Sequence, residues 1–159
     1  MPATPPTAQL GPLAALVGTW HGSGSGRWGD ASFEYTEELT FVAGAKPQLA
    51  YRQRTRAADD GRALHAEDGF WRLAGEDVEL VLAHGIGIAE VSTGRWDGGT
   101  LVARATVLQG APTAKTVTGV ERTYAVDGDT LRCTLRMATD GGALRPHLEA
   151  TLRRVGDPR

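Results

Sequence analysis

From residue 33 onward the chain alternates between apolar and polar positions. Within Phe33–Phe41, the residues Phe33, Tyr35, Leu39 and Phe41 share one face, while Glu34, Thr36, Glu38 and Thr40 share the other. Glu37 is the one charge on the apolar face of that segment. Leu49, Tyr51 and Thr55 likewise oppose Arg52, Arg54 and Arg56, and Leu131, Cys133, Leu135 and Met137 oppose Arg132, Thr134 and Arg136. A period of two is the signature of a half-buried strand. It predicts strands over 33–41, 49–56, 64–73, 77–83, 86–94, 100–108, 115–126, 130–138 and 147–155, with one more over 22–28. The separators are turn sequences: Asp59-Asp60-Gly61, Ala74-Gly75, Asp97-Gly98-Gly99, Asp127-Gly128-Asp129 and Asp140-Gly141-Gly142. Ahead of the strands, Leu10, Leu13, Leu16 and Val17 recur at helical spacing, with Pro12 in the first turn and Gly18 as a C-terminal stop. One short helix is expected there. Residues 1–8, rich in Pro, Ala and Thr, are expected to be a disordered lead-in to a single domain over 9–159.

About ten strands in sequence, each with one apolar face, favour an all-β, up-and-down antiparallel sheet. Closing that sheet into a barrel buries the apolar face and removes the exposed edges, and more than about eight strands leave room for a ligand inside. A β-sandwich is the competing architecture.

Composition narrows the function. With 159 residues and 41% hydrophobic positions there is material for one core. The 17 Lys and Arg against 19 Asp and Glu give a net charge of -2, which argues against nucleic acid as a partner and against a polybasic membrane anchor. No apolar run approaches the roughly 20 residues that span a bilayer, and the first ten residues carry neither a basic nor an apolar signal region. The single cysteine, Cys133, excludes an internal disulfide and a Cys-rich metal centre, and the expected compartment is the cytosol. Its place on an apolar strand face reads as a small buried hydrophobe.

Several patterns could carry chemistry. Gly18-Thr-Trp-His-Gly-Ser-Gly-Ser-Gly26 is glycine-rich, but it follows a helix and lacks a lysine, the reverse of a phosphate-binding loop. A glycine-rich first strand that lets the helix and Trp20 close one barrel end accounts for it, as in lipocalin-like barrels. The four histidines, His21, His65, His84 and His147, include no pair at i,i+2 or i,i+4, so no multi-histidine zinc motif is present in sequence. A heme needs only one protein nitrogen, because the porphyrin supplies four. There is no Gly-x-Ser-x-Gly elbow for a hydrolase. Lysine is rare, with only Lys46 and Lys115, and Lys115 is either a solvated charge or a partner for a ligand carboxylate.

Taken together, these segments resemble the nitrobindin family. The resemblance rests on Gly18, Trp20, Gly22 and Gly24 of a Gly-x-Trp-x-Gly-x-Gly signature, on Phe33–Phe41, on Leu64–Arg72, on Gly87–Val91 and on His147–Arg154 in that order. It implies a ten-stranded barrel related to fatty-acid-binding proteins. It also implies one ferric heme b per chain, nitric oxide binding and isomerisation of peroxynitrite to nitrate. By the same resemblance His147 is the iron ligand and the catalytic residue, Leu64 (where the family has Met) and His65 lie on the distal side, and Lys115 meets a heme propionate. The family's Tyr-Pro-Thr segment is replaced here by Arg27–Ser32.

Strict alternation conflicts with the role implied for His147. It groups His147 with Glu149, Thr151 and Arg153, and sets Leu148, Ala150 and Leu152 on the opposite face. An inward His147 needs a bulge near Leu148 or a place at the strand start. Otherwise the outer face is apolar there and calls for a covering, a homodimer partner being one candidate. For the isomerase reading, ferric iron acts as a Lewis acid on the peroxide bond, and the protein supplies the axial ligand and a nearly apolar wall. Leu64, Ile86, Ile88, Leu101 and Val107 are the candidates for that wall, and no acid–base pair is needed. A non-catalytic heme or nitric oxide carrier and a lipocalin-like binder of small apolar molecules are the alternatives.

Overall fold

The computed structural model describes residues 6–156. Ten strands follow one another: β1 (Gly18–Trp28), β2 (Ala31–Ala43), β3 (Gln48–Ala57), β4 (Ala63–Ala74), β5 (Asp77–His84), β6 (Ile88–Asp97), β7 (Thr100–Gly110), β8 (Val117–Asp127), β9 (Thr130–Thr139) and β10 (Arg145–Val155). Each pairs antiparallel with its neighbour in sequence, and β1 closes on β10. The expected barrel, rather than a sandwich, is what forms, and the predicted strands are all present with small shifts of boundary. Of the lead-in expected over 1–8, residues 1–5 lie outside the described residues, and Pro6–Gln9 form a 3-10 turn. The expected short helix is a second 3-10 segment, Gly11–Leu16. Among the described residues no helix is long and apolar enough to cross a membrane.

The barrel has a closed end and an open end. Leu10, Leu13 and Leu16 plug the closed end and are fully buried. They meet Trp20, whose indole Nε1 donates to the Leu16 carbonyl at 2.8 Å, and the Arg154 guanidinium covers that indole 4.2 Å from the ring. Above the plug, Phe41, Tyr51, Trp71 and Tyr124 pack with ring centres 4.6 to 5.5 Å apart, Trp71 meeting Phe41 and Tyr124 edge to face and the other pairs tilted. Inward and outward positions alternate without a break here, so the wall is regular.

Toward the open end the regular pairing breaks. Register shifts fall at His147 in β10, at Thr55 facing Leu64 and His65 between β3 and β4, at Thr106 in β7 and at Thr118 in β8. Each marks a bulge, with the extra residue on β4 in the case of Thr55, and a bulge is the device that re-aims side chains at barrel rims. The β7–β8 ladder runs only from Thr100 to Arg104 on the β7 side, so these strands diverge above that point. The result is a cavity of about 1360 Å³ between the divergent strands.

The bulge at His147 resolves the conflict in β10. Below it Leu148 is half-buried, while Ala150 and Leu152 are buried in the core. The outer face of β10 is therefore polar, and the reason for covering it with a second subunit disappears. An apolar row lies elsewhere on the outside: Val42, Ala50, Phe70, Val81, Val91 and Val107 are cross-strand neighbours from β2 to β7.

Candidate functional site

The cavity has two unlike walls. One is built by β1, β2, β9 and β10. Glycines thin β1: a Cβ on Gly24 would collide with the Tyr35 ring and one on Gly26 with the Phe33 ring. The glycine motif thus lets two aromatic rings of β2 lie against the β1 backbone. Gly18 sits at a φ of 128°, in the region that favours glycine, and leads into Trp20 at the plug. Gly22 is pressed against the backbone of Thr151 and Leu152. Gly18, Trp20, Gly22 and Gly24 are therefore framework rather than a ligand-binding loop.

This thinned wall carries His147. The bulge turns its ring into the cavity, edge-on to Trp28 at 5.6 Å and to Phe33 at 6.4 Å. Nδ1 lies 2.7 Å from the Arg27 carbonyl oxygen, which can only accept, so Nδ1 carries the proton and donates. Burial holds the imidazole below its ordinary pKa, with the hydrogen bond to Arg27 opposing. A neutral ring with its proton on Nδ1 leaves Nε2 as an open electron pair. Leu135, Met137 and Leu148 continue the apolar surface around it. Lys115 stands at the mouth with its Nζ 4.5 Å above the Trp28 ring.

Across the barrel, Leu64, Ile86, Ile88 and Leu108 line the cavity. Of the expected wall residues, Leu64, Ile86 and Ile88 are in place. Leu101 instead sits in the packed core below, and Val107 faces outward, because the extra residue Thr106 reverses the parity of β7 and presents Leu108. His65, which strict alternation leaves free to point outward, faces the cavity because the β4 bulge re-aims it.

The floor is charged, which corrects the expectation of a nearly apolar pocket without acid–base groups. Arg122 of β8 is almost fully buried, and its guanidinium spans two strands' carboxylates. It donates to Glu67 of β4 at 2.7 and 3.1 Å and to Glu90 of β6 at 2.8 and 3.0 Å. Glu67 also accepts from the Tyr51 hydroxyl at 2.7 Å, and His65 Nε2 lies 3.1 Å from its other carboxylate oxygen. Glu90 accepts from Ser92 at 2.5 Å and from His84 Nε2 at 2.9 Å. Burial alone would raise both carboxyl pKa values. The Arg122 charge and the hydrogen bonds outweigh it, holding Glu67 well below the usual carboxylate range and Glu90 down to about 2. Both are ionised at neutral pH. Glu37, deeper and without such a partner, goes the other way: burial, then the Glu67 charge, push it up to about 7.

Sequence reasoning singled out Glu37 and missed Glu67, Glu90 and Arg122. Each is buried on the inner side of its strand, but no single strand shows that the three pair with one another. Cys133 is buried as expected, and burial pushes its thiol well above the ordinary range, so it is unreactive there.

Comparison with known proteins agrees with this architecture. The profile of the THAP4-like, heme-binding beta-barrel domain matches residues 9–154. The chain is 45% identical over 151 residues to peroxynitrite isomerase 2 of Mycobacterium avium, covering 91% of this chain and 94% of that protein. It is 47% identical over 148 residues to the peroxynitrite isomerase of Nocardia farcinica, covering 89% and 88%. The crystal structure of Rv2717c from M. tuberculosis superposes with a TM-score of 0.86 at 40% identity, over 93% of this chain and 98% of that one.

Proposed function

Because the chain belongs to the THAP4-like, heme-binding β-barrel family, we propose that it holds one ferric heme b through His147, isomerises peroxynitrite to nitrate and binds nitric oxide. The observation that carries this reading is the His147 ring itself: it borders the cavity, burial holds it below its ordinary pKa, and the Arg27 carbonyl fixes its Nδ1, which leaves Nε2 unprotonated. A half-buried imidazole oriented by a carbonyl on its far nitrogen is the arrangement that metal-bound histidines use.

The other residues fit the group. The cavity volume of about 1360 Å³ exceeds the 300–1,000 Å³ typical of small-molecule pockets. Its walls are apolar and aromatic where a macrocycle needs burial. Lys115 at the mouth supplies a cation for a propionate carboxylate. When bound, ferric heme supplies a Lewis acid that weakens the peroxide bond. The chain's part is to hold one face through Nε2 and to leave the other face open. Leu64, Ile86, Ile88 and Leu108 exclude water from the opposite wall. His65, bonded to Glu67, is the polar group on that side within reach of an anionic ligand.

The compartment in this reading is the cytosol, which cell fractionation checks. A homodimer, if formed, has the outer apolar row through Phe70 as its face, and sedimentation of Phe70→Glu against the unaltered chain tests it. The activity is tested by following peroxynitrite decay and nitrate yield with the heme-loaded chain beside free heme at equal concentration. Faster decay with nitrate as product is expected. Decay no faster than with free heme would leave a nitric oxide carrier, and a chain without a Soret band would leave a binder of small apolar molecules.

A further inference from the structure

Across the barrel from His147, three electron-pair donors converge on one point. His65 Nε2 lies 3.1 Å from Glu67 Oε2, His84 Nδ1 lies 3.3 Å from His65 Nε2, and His84 Nδ1 lies 3.2 Å from Glu67 Oε2. Three ligand atoms on a tetrahedral ion at about 2.0–2.1 Å are themselves about 3.3 Å apart, so the spacing already matches. The three residues come from two adjacent strands, β4 and β5, and sequence spacing alone concealed them because the second imidazole is nineteen positions away.

The surroundings of the cluster support the same conclusion. Glu90 Oε1 lies 2.9 Å from His84 Nε2, so the other ring nitrogen, Nδ1, is the one that stands beside Glu67 and His65. The cluster of Glu67, Glu90 and Arg122 carries one net negative charge before any ion enters. Two of the three ligands are also oriented from behind. Glu90 holds the far nitrogen of His84, while Tyr51 and Arg122 hold Glu67. That is the carboxylate–histidine–metal pattern of built metal sites. His65 and His84 both border the cavity, which gives the ion an entry path and leaves a fourth position open.

We propose that His65, Glu67 and His84 form a second metal site that takes one divalent transition cation, separate from the heme iron at His147. Two imidazoles and one carboxylate select such an ion over magnesium or calcium, which demand oxygen ligands, and the absence of thiolate disfavours copper(I). The site does not depend on the heme reading.

The test uses the full chain as purified, with iron and zinc counted in the same elemental analysis after equilibration with Zn²⁺ and removal of free ion. One zinc per chain is expected, whatever the iron content. His65→Ala and His84→Ala should each lower zinc affinity by about 100-fold or more, beyond the 10–100-fold typical of losing an outer-shell partner. His21→Ala, outside the cavity, should leave it unchanged. X-ray absorption at the cobalt edge of the Co²⁺-loaded chain should find two imidazole ligands, a signal that heme does not obscure. Circular dichroism checks each variant's fold, and His65→Ala, whose side chain is partly open to the cavity, decides the matter if His84→Ala does not fold. Zinc absent from the unaltered chain, retained in both histidine variants, or lost only with His147→Ala would overturn the proposal.

Discussion

The closed and open halves of this barrel are made by the same ten strands under different rules. In the closed half apolar residues alternate without interruption, and the leucine plug, Trp20 and Trp71 fill the interior completely. In the open half four bulges interrupt the pairing, β7 and β8 part, and the interior is cavity. Regular alternation yields a packed core; every departure from it delivers a particular side chain to the cavity. His147, His65 and Leu108 all face inward through such departures. Between the halves lies the Arg122 layer, in which one guanidinium is shared by two buried carboxylates.

The largest effect should follow from breaking that layer. Arg122→Leu leaves Glu67 and Glu90 buried without their cation. A loss of about 3–5 kcal/mol in urea unfolding is expected, the scale for removing one partner of a buried ion pair. A loss under about 1 kcal/mol would mean that the layer is open to water and belongs to the cavity.

Glu37 is the next lever, because its sign is opposite. With its carboxyl moved from 4.5 up to about 7 in the folded chain, the stability it contributes is complete below pH 4.5 and is lost as pH rises through about 7. Glu67, Arg122, Gln53 and Tyr35 are the groups that face it. Glu37→Gln should therefore be more stable than the unaltered chain at pH 8, by about 1–3 kcal/mol, and should flatten the stability curve between pH 4.5 and 7. Parallel curves for the two proteins would contradict the assignment.

Two glycines of one strand then separate the halves. Gly22→Ala presses on the Thr151 and Leu152 backbone in the closed half, and a destabilisation of about 1–3 kcal/mol is expected. Gly26→Ala presses first on the Phe33 ring, which can turn. It should cost less stability and instead weaken heme binding several-fold by displacing the ring beside His147. Thermal melts and heme titration of the pair give both numbers, and equal effects of the two changes would erase the distinction.

The sequence revealed the closed half well, because period two at positions such as Leu39, Phe41, Leu49 and Tyr51 is enforced directly by burial. The open half was legible only where a motif supplied it. A bulge leaves no mark in a hydrophobic pattern except a conflict, and the conflict at His147 pointed to its bulge. At Thr106 no conflict was visible, so Val107 rather than Leu108 was expected on the wall. The Glu67–Arg122–Glu90 layer was missed for another reason. Its members are 55 and 32 positions apart in pairs, and only closure of the barrel brings opposite charges from β4, β6 and β8 together. His65 and His84 meet by the same route.

The central claim is that one histidine, His147, binds the iron in the open half and leaves the opposite face free. Electron paramagnetic resonance of the ferric, heme-loaded chain, beside His147→Ala prepared identically and shown to be folded, tests it most directly. A high-spin signal in the unaltered chain, lost together with the Soret band in His147→Ala, is the predicted result. A dominant low-spin signal with two nitrogen ligands, or a full Soret band in His147→Ala, would contradict it and move the iron to the His65 side of the cavity.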